Sequence, residues 1–410
     1  MKITSRQFGR VMKRSSLLTV ALVTAVAFSG TISSGASTKA NLSFLKQRIS
    51  QYKKVPVFIA PGPSFNAASL AGKTVYNIPV SSAVPFVQTI DAEMKAVAAK
   101  VGIHFVECSN QGLPSQWVQC MDEAVTAKAS LIILDAGPNP AVLQPQIAAA
   151  HAAGIRVIST NTPEPVQCSR NPKYVSRRFG AIPICEPVGT IPAAVTKNMD
   201  GLVPAPFAPS AILEADGITY NSAGHANVLI VQSPDLYDSS AIVTMIKNEF
   251  RTRCGSGCTT TVIGAPVSDW ATKIPTEVST ALTKNPKINY VLPIFDSMST
   301  YVQSGILSVG RTAKVKIGAT FNGTPSILSM ISSGQVLMDV GQSLAWTAWA
   351  SMDQAMRVLA RKSPVPDELI PLRIFDKSNI RSAGTPPSAS KGYGNTFMTG
   401  YEKLWGLPTK

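Results

Sequence analysis

The stretch Ile317–Gln342, IGATFNGTPSILSMISSGQVLMDVGQ, decides the predicted fold of this chain. Its first part predicts a buried strand that ends at the turn sequence FNGTP, where β-rich residues give way to turn residues. An amphipathic helix then ends at Gly334, and a second strand ends at Gln342. Because strand ends in α/β sheets face ligands, Phe321, Asn322 and Gln342 are predicted to contact one. The alternative for Phe321 is an aromatic residue that only caps the core.

The first 36 residues have the features of a secretory signal peptide. Basic residues up to Arg14 precede the apolar run Leu17–Phe28, which is too short to span a bilayer. Small residues follow, and cleavage is predicted near Ala36. No cysteine lies near that position, so a lipoprotein anchor is not expected. The protein is therefore predicted to be exported to the periplasm, the cell envelope or the extracellular space.

The charge of the chain argues against a nucleic-acid partner. The sequence has 38 basic and 23 acidic residues and a net charge of +15, of which the predicted signal peptide supplies +5. The remaining basic residues are scattered, and a nucleic-acid site requires them to be clustered on one surface. The excess positive charge instead favours encounters with an anionic membrane or cell-wall surface.

An even number of cysteines in an exported chain predicts disulfide bonds. Six cysteines allow fifteen connectivities, but each sequential pair closes a short loop, so sequential pairing is predicted. No paired Cys-x-x-Cys or Cys/His cluster is present, so no metal site is expected. The predicted pairs are Cys108–Cys120, Cys168–Cys185 and Cys254–Cys258.

Strands and helices alternate in two long series, which predicts an α/β fold with two doubly wound, Rossmann-like lobes. The first series starts at Lys73 and the second at Ala226, and a proline-rich interruption from Thr162 to Pro209 separates them. The predicted boundaries are a signal peptide at 1–36, an N-terminal extension at 37–72, a first lobe at 73–163 to which 343–372 returns, a second lobe at 164–342 to which 373–385 returns, and a C-terminal tail at 386–410.

Four motifs in this order resemble a known family. They are VPF at 84–86, AAAHAAGIRVIST at 148–160, FDSM at 295–298, and FNGTP at 321–325 followed by Gln342. Over residues 73–376 the chain resembles type I periplasmic binding proteins of the ribose- and galactose-binding kind, which are the receptors of ABC importers. The resemblance implies two lobes joined by three strands, with a small molecule trapped in the cleft between them. It also implies an ABC permease as partner, a monomeric receptor and no cofactor.

The resemblance also assigns ligand contacts to individual positions. Phe86 and Phe321 fall where aromatic residues cover the sugar, and Gln342 falls at the hinge-side glutamine. Asn161 and Thr162 fall where the family contacts sugar hydroxyls. The implied ligand-binding residues are Phe86, Asn161, Thr162, Phe295, Asp296, Phe321, Asn322 and Gln342.

Several positions depart from the family pattern. Phe295 stands where asparagine is usual, and Asn322 replaces the customary aspartate. The arginine expected after Gln232 is absent, and Asp238 lies in the segment that fills that region. Neutral amides make weaker hydrogen bonds to hydroxyls than charged groups do. The expected ligand is therefore a sugar, a cyclic polyol or a more apolar solute, and fold alone does not decide among them.

Two other functions compete with a transport receptor. The sequence GQSLA around Ser343 could form the nucleophile elbow of a secreted hydrolase. That arrangement needs a histidine after the serine, but His104, His151 and His225 all precede it. No enzymatic activity is therefore expected. The second alternative, a ligand-binding sensory component of a membrane receptor, uses the same fold and is not distinguished by the sequence.

Overall fold

The computed structural model describes residues 40–163 and 196–409. Within them, strands and helices alternate and build parallel sheets covered by helices, which confirms the predicted fold class. None of the helices in these two ranges is long and apolar enough to cross a membrane. The predicted signal peptide and the predicted Cys168–Cys185 bridge lie outside the described residues.

The first lobe follows the N-terminal helix α1 (Leu42–Tyr52). Its elements are β1 (Thr74–Pro79), α2 (Pro85–Val101), β2 (His104–Glu107), α3 (Pro114–Thr126), β3 (Leu131–Asp135), α4 (Gln144–Ala152), β4 (Arg156–Thr162) and β5 (Gly201–Pro204). The strands form a parallel sheet in the order β2-β1-β3-β4-β5.

The second lobe contains two sheets. Its elements are α5 (Phe207–Asn221), β6 (Ala226–Gln232), α6 (Ser239–Arg253), β7 (Cys258–Gly264), α7 (Trp270–Lys284), β8 (Tyr290–Pro293), α8 (Ser299–Ser308), β9 (Lys316–Ile317), β10 (Thr320–Asn322), α9 (Pro325–Ser332) and β11 (Met338–Gln342). Three further elements follow in the chain: α10 (Leu344–Leu359), β12 (Leu372–Asp376) and α11 (Thr396–Leu404). The sheet orders are β7-β6-β8-β9 and β10-β11-β12, and β12 is antiparallel to β11.

Helix α2 illustrates how local sequence fixes an element. Pro85 occupies the first turn, where its missing N–H needs no partner. Gly102 ends the helix with φ of 73°, a left-handed conformation that glycine adopts without steric cost. Between them Ile90, Met94 and Val97 form a buried face, because residues three and four positions apart share one side of a helix.

The described chain crosses between the lobes three times. It passes from β5 to α5, returns from β11 to α10, and crosses again between α10 and β12. Helix α10 packs against α2 and against strands of the first sheet, whereas β12 pairs with β11. Three connections leave the lobes few ways to move other than hinge bending.

The predicted C-terminal tail at 386–410 is partly buried. Trp405 is fully buried, stacks on Trp349 at 5.2 Å between ring centroids, and donates its indole N–H to Asp353 at 2.6 Å. Asp353 also forms a buried ion pair with Arg357, whose second partner is the carbonyl of Pro63. Helix α11 therefore closes a core that α10 shares with the N-terminal extension.

The N-terminal extension contacts both lobes. Arg48 of α1 forms ion pairs with Asp216 and Glu249 of the second lobe, at 2.7 and 3.0 Å. Downstream, Phe58 packs on Trp346 of α10, and Phe65 donates its backbone N–H to the carbonyl of Leu404, at the end of α11. The extension thus runs from one lobe to the other instead of forming a separate unit.

Two predicted elements differ from the structure. The strand predicted to end at FNGTP is interrupted at Gly318, where a Cβ would lie 2.7 Å from Ile218 and from Tyr290. Only glycine allows this approach, and the chain passes from β9 to β10 at that point. Within the predicted interruption, Gly201–Pro204 forms β5 and joins the first sheet, so that sheet extends past the predicted lobe boundary at 163.

The structure confirms two of the three predicted disulfide bonds, Cys108–Cys120 and Cys254–Cys258. The first joins the end of β2 to α3, and the second joins the end of α6 to the start of β7. Each bond connects neighbouring elements within one lobe, so neither restrains movement between the lobes.

We expect Trp405→Ala to lower the free energy of unfolding by about 3–5 kcal/mol, because it removes a fully buried ring and the partner of a buried carboxylate. Urea denaturation checks the value. Lys403→Ala, on the same helix but exposed, serves as the control and should change it by less than about 0.5 kcal/mol. Equal effects of the two substitutions would mean that α11 is not part of the cooperative core.

Candidate ligand-binding site

A cleft of about 480 Å³, its open mouth included, lies between the two lobes. The first lobe lines it with residues that follow β1 and β3 or end β4, and the second lobe with residues that follow β6, β7 and β8 or end β10. Carboxyl ends of parallel strands meet at one edge of a sheet, and ligands bind there in α/β folds. Both lobes therefore direct their binding edges into one shared space.

Most of the cleft lining is apolar, and five aromatic residues contribute to it. They are Phe86, Phe207, Tyr237, Trp270 and Phe295. Phe207 packs edge-on against Phe295, with ring centroids 6.1 Å apart, and is supported from behind by Phe321 at 5.8 Å. The indole N–H of Trp270 donates to Ser233 at 2.9 Å, which fixes the ring. These contacts hold the aromatic walls in place before any ligand binds.

Two asparagines bring polar groups into the cleft. Asn161 and Asn322 both have positive φ, 53° and 144° respectively, a region that L-residues rarely adopt and asparagine tolerates best among non-glycine residues. Backbone strain of this kind concentrates at functional sites. Gln342, buried at the end of β11, donates its amide N–H to the side-chain oxygen of Asn161 at 3.1 Å. This hydrogen bond links the first lobe to a strand at the hinge.

Among the described residues that line the cleft, Asp238 alone carries a charge. It precedes α6 and is largely buried, and its Oδ1 has no hydrogen-bond partner. Burial, together with a smaller effect of the charge of Asp235, raises the pKa of Asp238 to about 7 against the opposing effect of backbone N–H hydrogen bonds. The carboxyl therefore titrates near neutral pH.

A group of buried carboxyls lies behind the wall of the second lobe. Asp296 accepts hydrogen bonds from the backbone N–H and the hydroxyl of Thr324, at 2.6 and 2.7 Å. It therefore ties the segment after Phe295 to the turn after Asn322. Burial raises the pKa of Asp296 to about 6.

Two further carboxyls complete this group. Burial raises the pKa of Glu214 and of Asp339 well above the usual range, and the charge of Asp296 raises both further. In the described parts of the chain, no group of His, Cys, Asp or Glu has the geometry to hold a metal ion.

The structure brings four of the eight predicted ligand-binding residues to the cleft surface, namely Phe86, Asn161, Phe295 and Asn322. The other four are buried and do not line it. Phe321 supports Phe207, and Gln342 contacts Asn161. Asp296 binds Thr324, and Thr162 is buried at the end of β4. These four residues hold supporting positions in the structure, and whether any of the eight contacts a ligand stays a prediction.

The sequence analysis missed other lining residues. Asp238 follows β6 and Trp270 follows β7, so the strand-end rule could have identified both. Phe207 starts the helix after β5, a short strand hidden in a proline-rich stretch, so no periodic signal pointed to it.

Comparison with known proteins relates this geometry to solved structures. No protein-family model matches the sequence, and no curated protein matches it. An ABC transporter solute-binding protein from Agrobacterium vitis with bound allitol is 13% identical, with a TM-score of 0.62, over 76% of this chain and 98% of that one. One from Bacillus halodurans with bound myo-inositol is 15% identical, with a TM-score of 0.61, over 77% and 98%. The 5-methylthioribose transporter solute-binding protein from Thermotoga lettingae is 16% identical, with a TM-score of 0.61, over 82% and 94%.

These similarities confirm that the chain has the fold of ABC transporter solute-binding proteins of the sugar-binding type. At 13–16% identity they bear on the fold alone. The neighbours are matched almost completely, while about a quarter of this chain has no counterpart in the first of them.

We expect Glu214→Gln to make the protein's stability less dependent on pH. A raised pKa means that the folded state binds the proton more tightly than the unfolded state, whose glutamate pKa is about 4.3. Glu214 therefore lowers the free energy of unfolding progressively as pH rises above about 4. The variant should gain stability relative to the original protein at pH 7 and match it more closely at pH 4, as measured by urea denaturation.

The matched control is Glu277→Gln, which changes an exposed glutamate in the same lobe. It should leave the pH dependence of the free energy of unfolding nearly unchanged. If both variants shift the stability curve equally, Glu214 ionises freely and the buried carboxyl group does not act as described.

Proposed function

We propose that this protein is an exported solute-binding receptor that captures a small molecule between its lobes and delivers it to an ABC permease. In this role it acts as a monomer and catalyses no reaction. The observation that carries the proposal is the convergence of aromatic and amide side chains from both lobes on one interlobe cleft. A mostly apolar cleft with a few directed polar groups is typical of small-molecule sites.

The ligands of the structural neighbours support a small-molecule substrate. Solved structures among these neighbours contain bound allitol, myo-inositol, D-allose and D-arabinose, all of them sugars or polyols. We infer a ligand of similar size, and sugars and polyols are the first compounds to test.

Closure of the lobes provides the mechanism of capture. A ligand stabilises the closed state only if it makes contacts there that the open state lacks. Phe86 and Asn161 approach it from the first lobe, and Phe295 and Asn322 from the second. A ligand that contacts both sets therefore shifts the protein toward the closed form, which is the form a permease would recognise.

The hydrolase alternative is disfavoured by the surroundings of Ser343. Its hydroxyl accepts the backbone N–H of Trp346 and donates to the carbonyl of Ala389, so it caps helix α10. The residue is fully buried. A nucleophile needs access to substrate and a base within hydrogen-bond reach, and the hydroxyl of Ser343 serves helix capping instead.

We expect a true ligand to raise the melting temperature of the purified protein. A ligand at 100 times its dissociation constant adds about 2.7 kcal/mol of stability when it binds only the folded state. The measurement is a thermal-shift screen with allitol, myo-inositol, D-allose and D-arabinose, extended to amines and to apolar ring compounds. Solution scattering should show a smaller radius of gyration with the stabilising ligand.

The matched variants are Phe295→Leu and Phe375→Leu. Phe295 lines the cleft, so its loss should weaken ligand binding by about 1 kcal/mol. Phe375 is buried in β12 and does not line the cleft, so its loss should lower stability but leave affinity unchanged. No stabilisation by any compound in the screen, or equal loss of affinity in both variants, would contradict the receptor function.

A further inference from the structure

The cleft combines aromatic walls with a single acidic side chain. Five aromatic residues line it, and Asp238 is its one charged residue among the described lining positions, which include no lysine, arginine or histidine. The faces of aromatic rings carry negative electrostatic potential and attract cations within about 6 Å of the ring centre. Both features favour positive charge in the same space.

Asp238 is a buried carboxyl that hydrogen-bonds backbone N–H groups but has no cationic side chain beside it in the cleft lining. The residue is 8% exposed, and its buried Oδ1 accepts no hydrogen bond in the structure. A buried carboxylate without a partner is unfavourable, and proteins normally pair such a group with a cation or a hydrogen-bond donor. Backbone N–H groups reach this carboxyl, but no cationic side chain lines the cleft among the described residues, so a counter-ion has to come from the ligand.

Asn322 adds a second acceptor to the cleft. Its Oδ1 is buried and has no hydrogen-bond partner in the structure. A polyol would present hydroxyl groups around its whole periphery, and most of them would face apolar side chains here. A better match is a ligand that has one polar group able to donate hydrogen bonds to these acceptors and apolar groups that face the apolar side chains of the cleft.

We propose that the cleft binds a small organic cation, an ammonium centre bearing apolar substituents, with Asp238 as its counter-ion and the aromatic residues as its walls. This inference rests on the receptor function proposed above and names the ligand class of the same cleft. It differs from the sugars and polyols that the structural neighbours hold.

The assignment has a consequence for pH. Asp235 and Tyr237 are the titratable groups nearest Asp238 in the chain, and Tyr237 is the other titratable side chain among the described lining residues. Burial raises the pKa of Tyr237, so it is neutral at physiological pH. With a pKa of about 7 in the empty cleft, Asp238 must lose a proton before it can pair with a cation. Affinity should therefore fall by about tenfold for each pH unit below 7.

The experiment compares each cation with its neutral carbon isostere, beginning with choline and 3,3-dimethyl-1-butanol. A panel of quaternary ammonium salts and primary to tertiary amines is screened by thermal shift, beside a panel of sugars and polyols. The best cation and its isostere are then titrated by calorimetry between pH 5 and pH 8. A quaternary ammonium ion does not titrate, so its pH dependence reports on the protein alone.

Asp238→Asn keeps the shape of the side chain and removes its charge. It should weaken binding of the cation by about 30-fold or more at pH 8, because the cation is then buried without a counter-ion. The same variant should abolish the pH dependence. Asp269→Asn changes a half-buried carboxylate that pairs with Lys273, precedes Trp270 and does not line the cleft, and it should leave affinity unchanged. Asp238→Glu, which keeps the charge, should retain part of the pH dependence.

Each outcome of these experiments either supports or overturns the proposed cation binding. The inference is supported if the protein binds the cation but not its isostere, and if binding shows the predicted effects of pH and of Asp238→Asn. If Asp238→Asn does not fold, the comparison with the isostere and the pH dependence are sufficient to test the inference. Equal binding of cation and isostere overturns it. Stabilisation by sugars or polyols alone also overturns it, but leaves the receptor function standing. Failure of every panel overturns both.

Discussion

Two parallel sheets that turn their carboxyl-terminal edges toward one gap determine the rest of this structure. Every residue that reaches the cleft follows or ends a strand or begins the next helix, so sheet geometry selects the cleft lining. The three crossings keep the two edges opposed. Side chains that would otherwise be loop residues on separate lobes are thereby brought together, and the hydrogen bond between Asn161 and Gln342 connects this arrangement to the hinge.

Polar groups in this molecule mostly hold the backbone and leave the cleft surface apolar. Asp296 fixes the turn around Thr324 in the second lobe. In the first lobe, Asp135 accepts the hydroxyl of Thr160 and Asp91 accepts the side-chain amide of Asn77. Such buried acids are costly unless hydrogen-bonded or protonated, and burial raises the pKa of Asp91 to about 9. The strand ends are positioned by these interactions, and the cleft receives few polar groups.

Periodicity and turn chemistry were sufficient to predict the elements with strong local signals. The helix that ends at Gly334 and the strand that ends at Gln342 were predicted as observed, because caps and apolar spacing are encoded locally. The break at Gly318 and the short strand β5 could not be predicted, because both depend on what packs beside them. Such features depend on which residues lie beside them in the folded protein, and a single sequence does not show these neighbours.

The same distinction applies to the candidate site. Asn322 was placed at the cleft by its position at a strand end, and Phe86, Asn161 and Phe295 by the family resemblance. The facing direction of Phe321 and Asp296 is set by tertiary packing, which neither source contains. For Phe321 the alternative of a core-capping aromatic describes the structure better than a direct ligand contact. The acidic lining residue Asp238 was seen in the sequence as a departure from a pattern, and its burial gives that departure a physical meaning.

The N-terminal extension limits how far the two lobes of the receptor can open. Lys53 is anchored to the second lobe through Asp376, and Phe58 is anchored to the first lobe through Trp346 and Tyr401. Five backbone steps join these anchors, and a fully extended chain covers at most about 3.6 Å per residue, or roughly 18 Å in all. Wider opening would have to break the contacts of either Lys53 or Phe58 with its lobe. The segment between Lys53 and Phe58 therefore limits hinge opening although it belongs to neither lobe. A longer segment would allow wider opening without any change in the cleft residues.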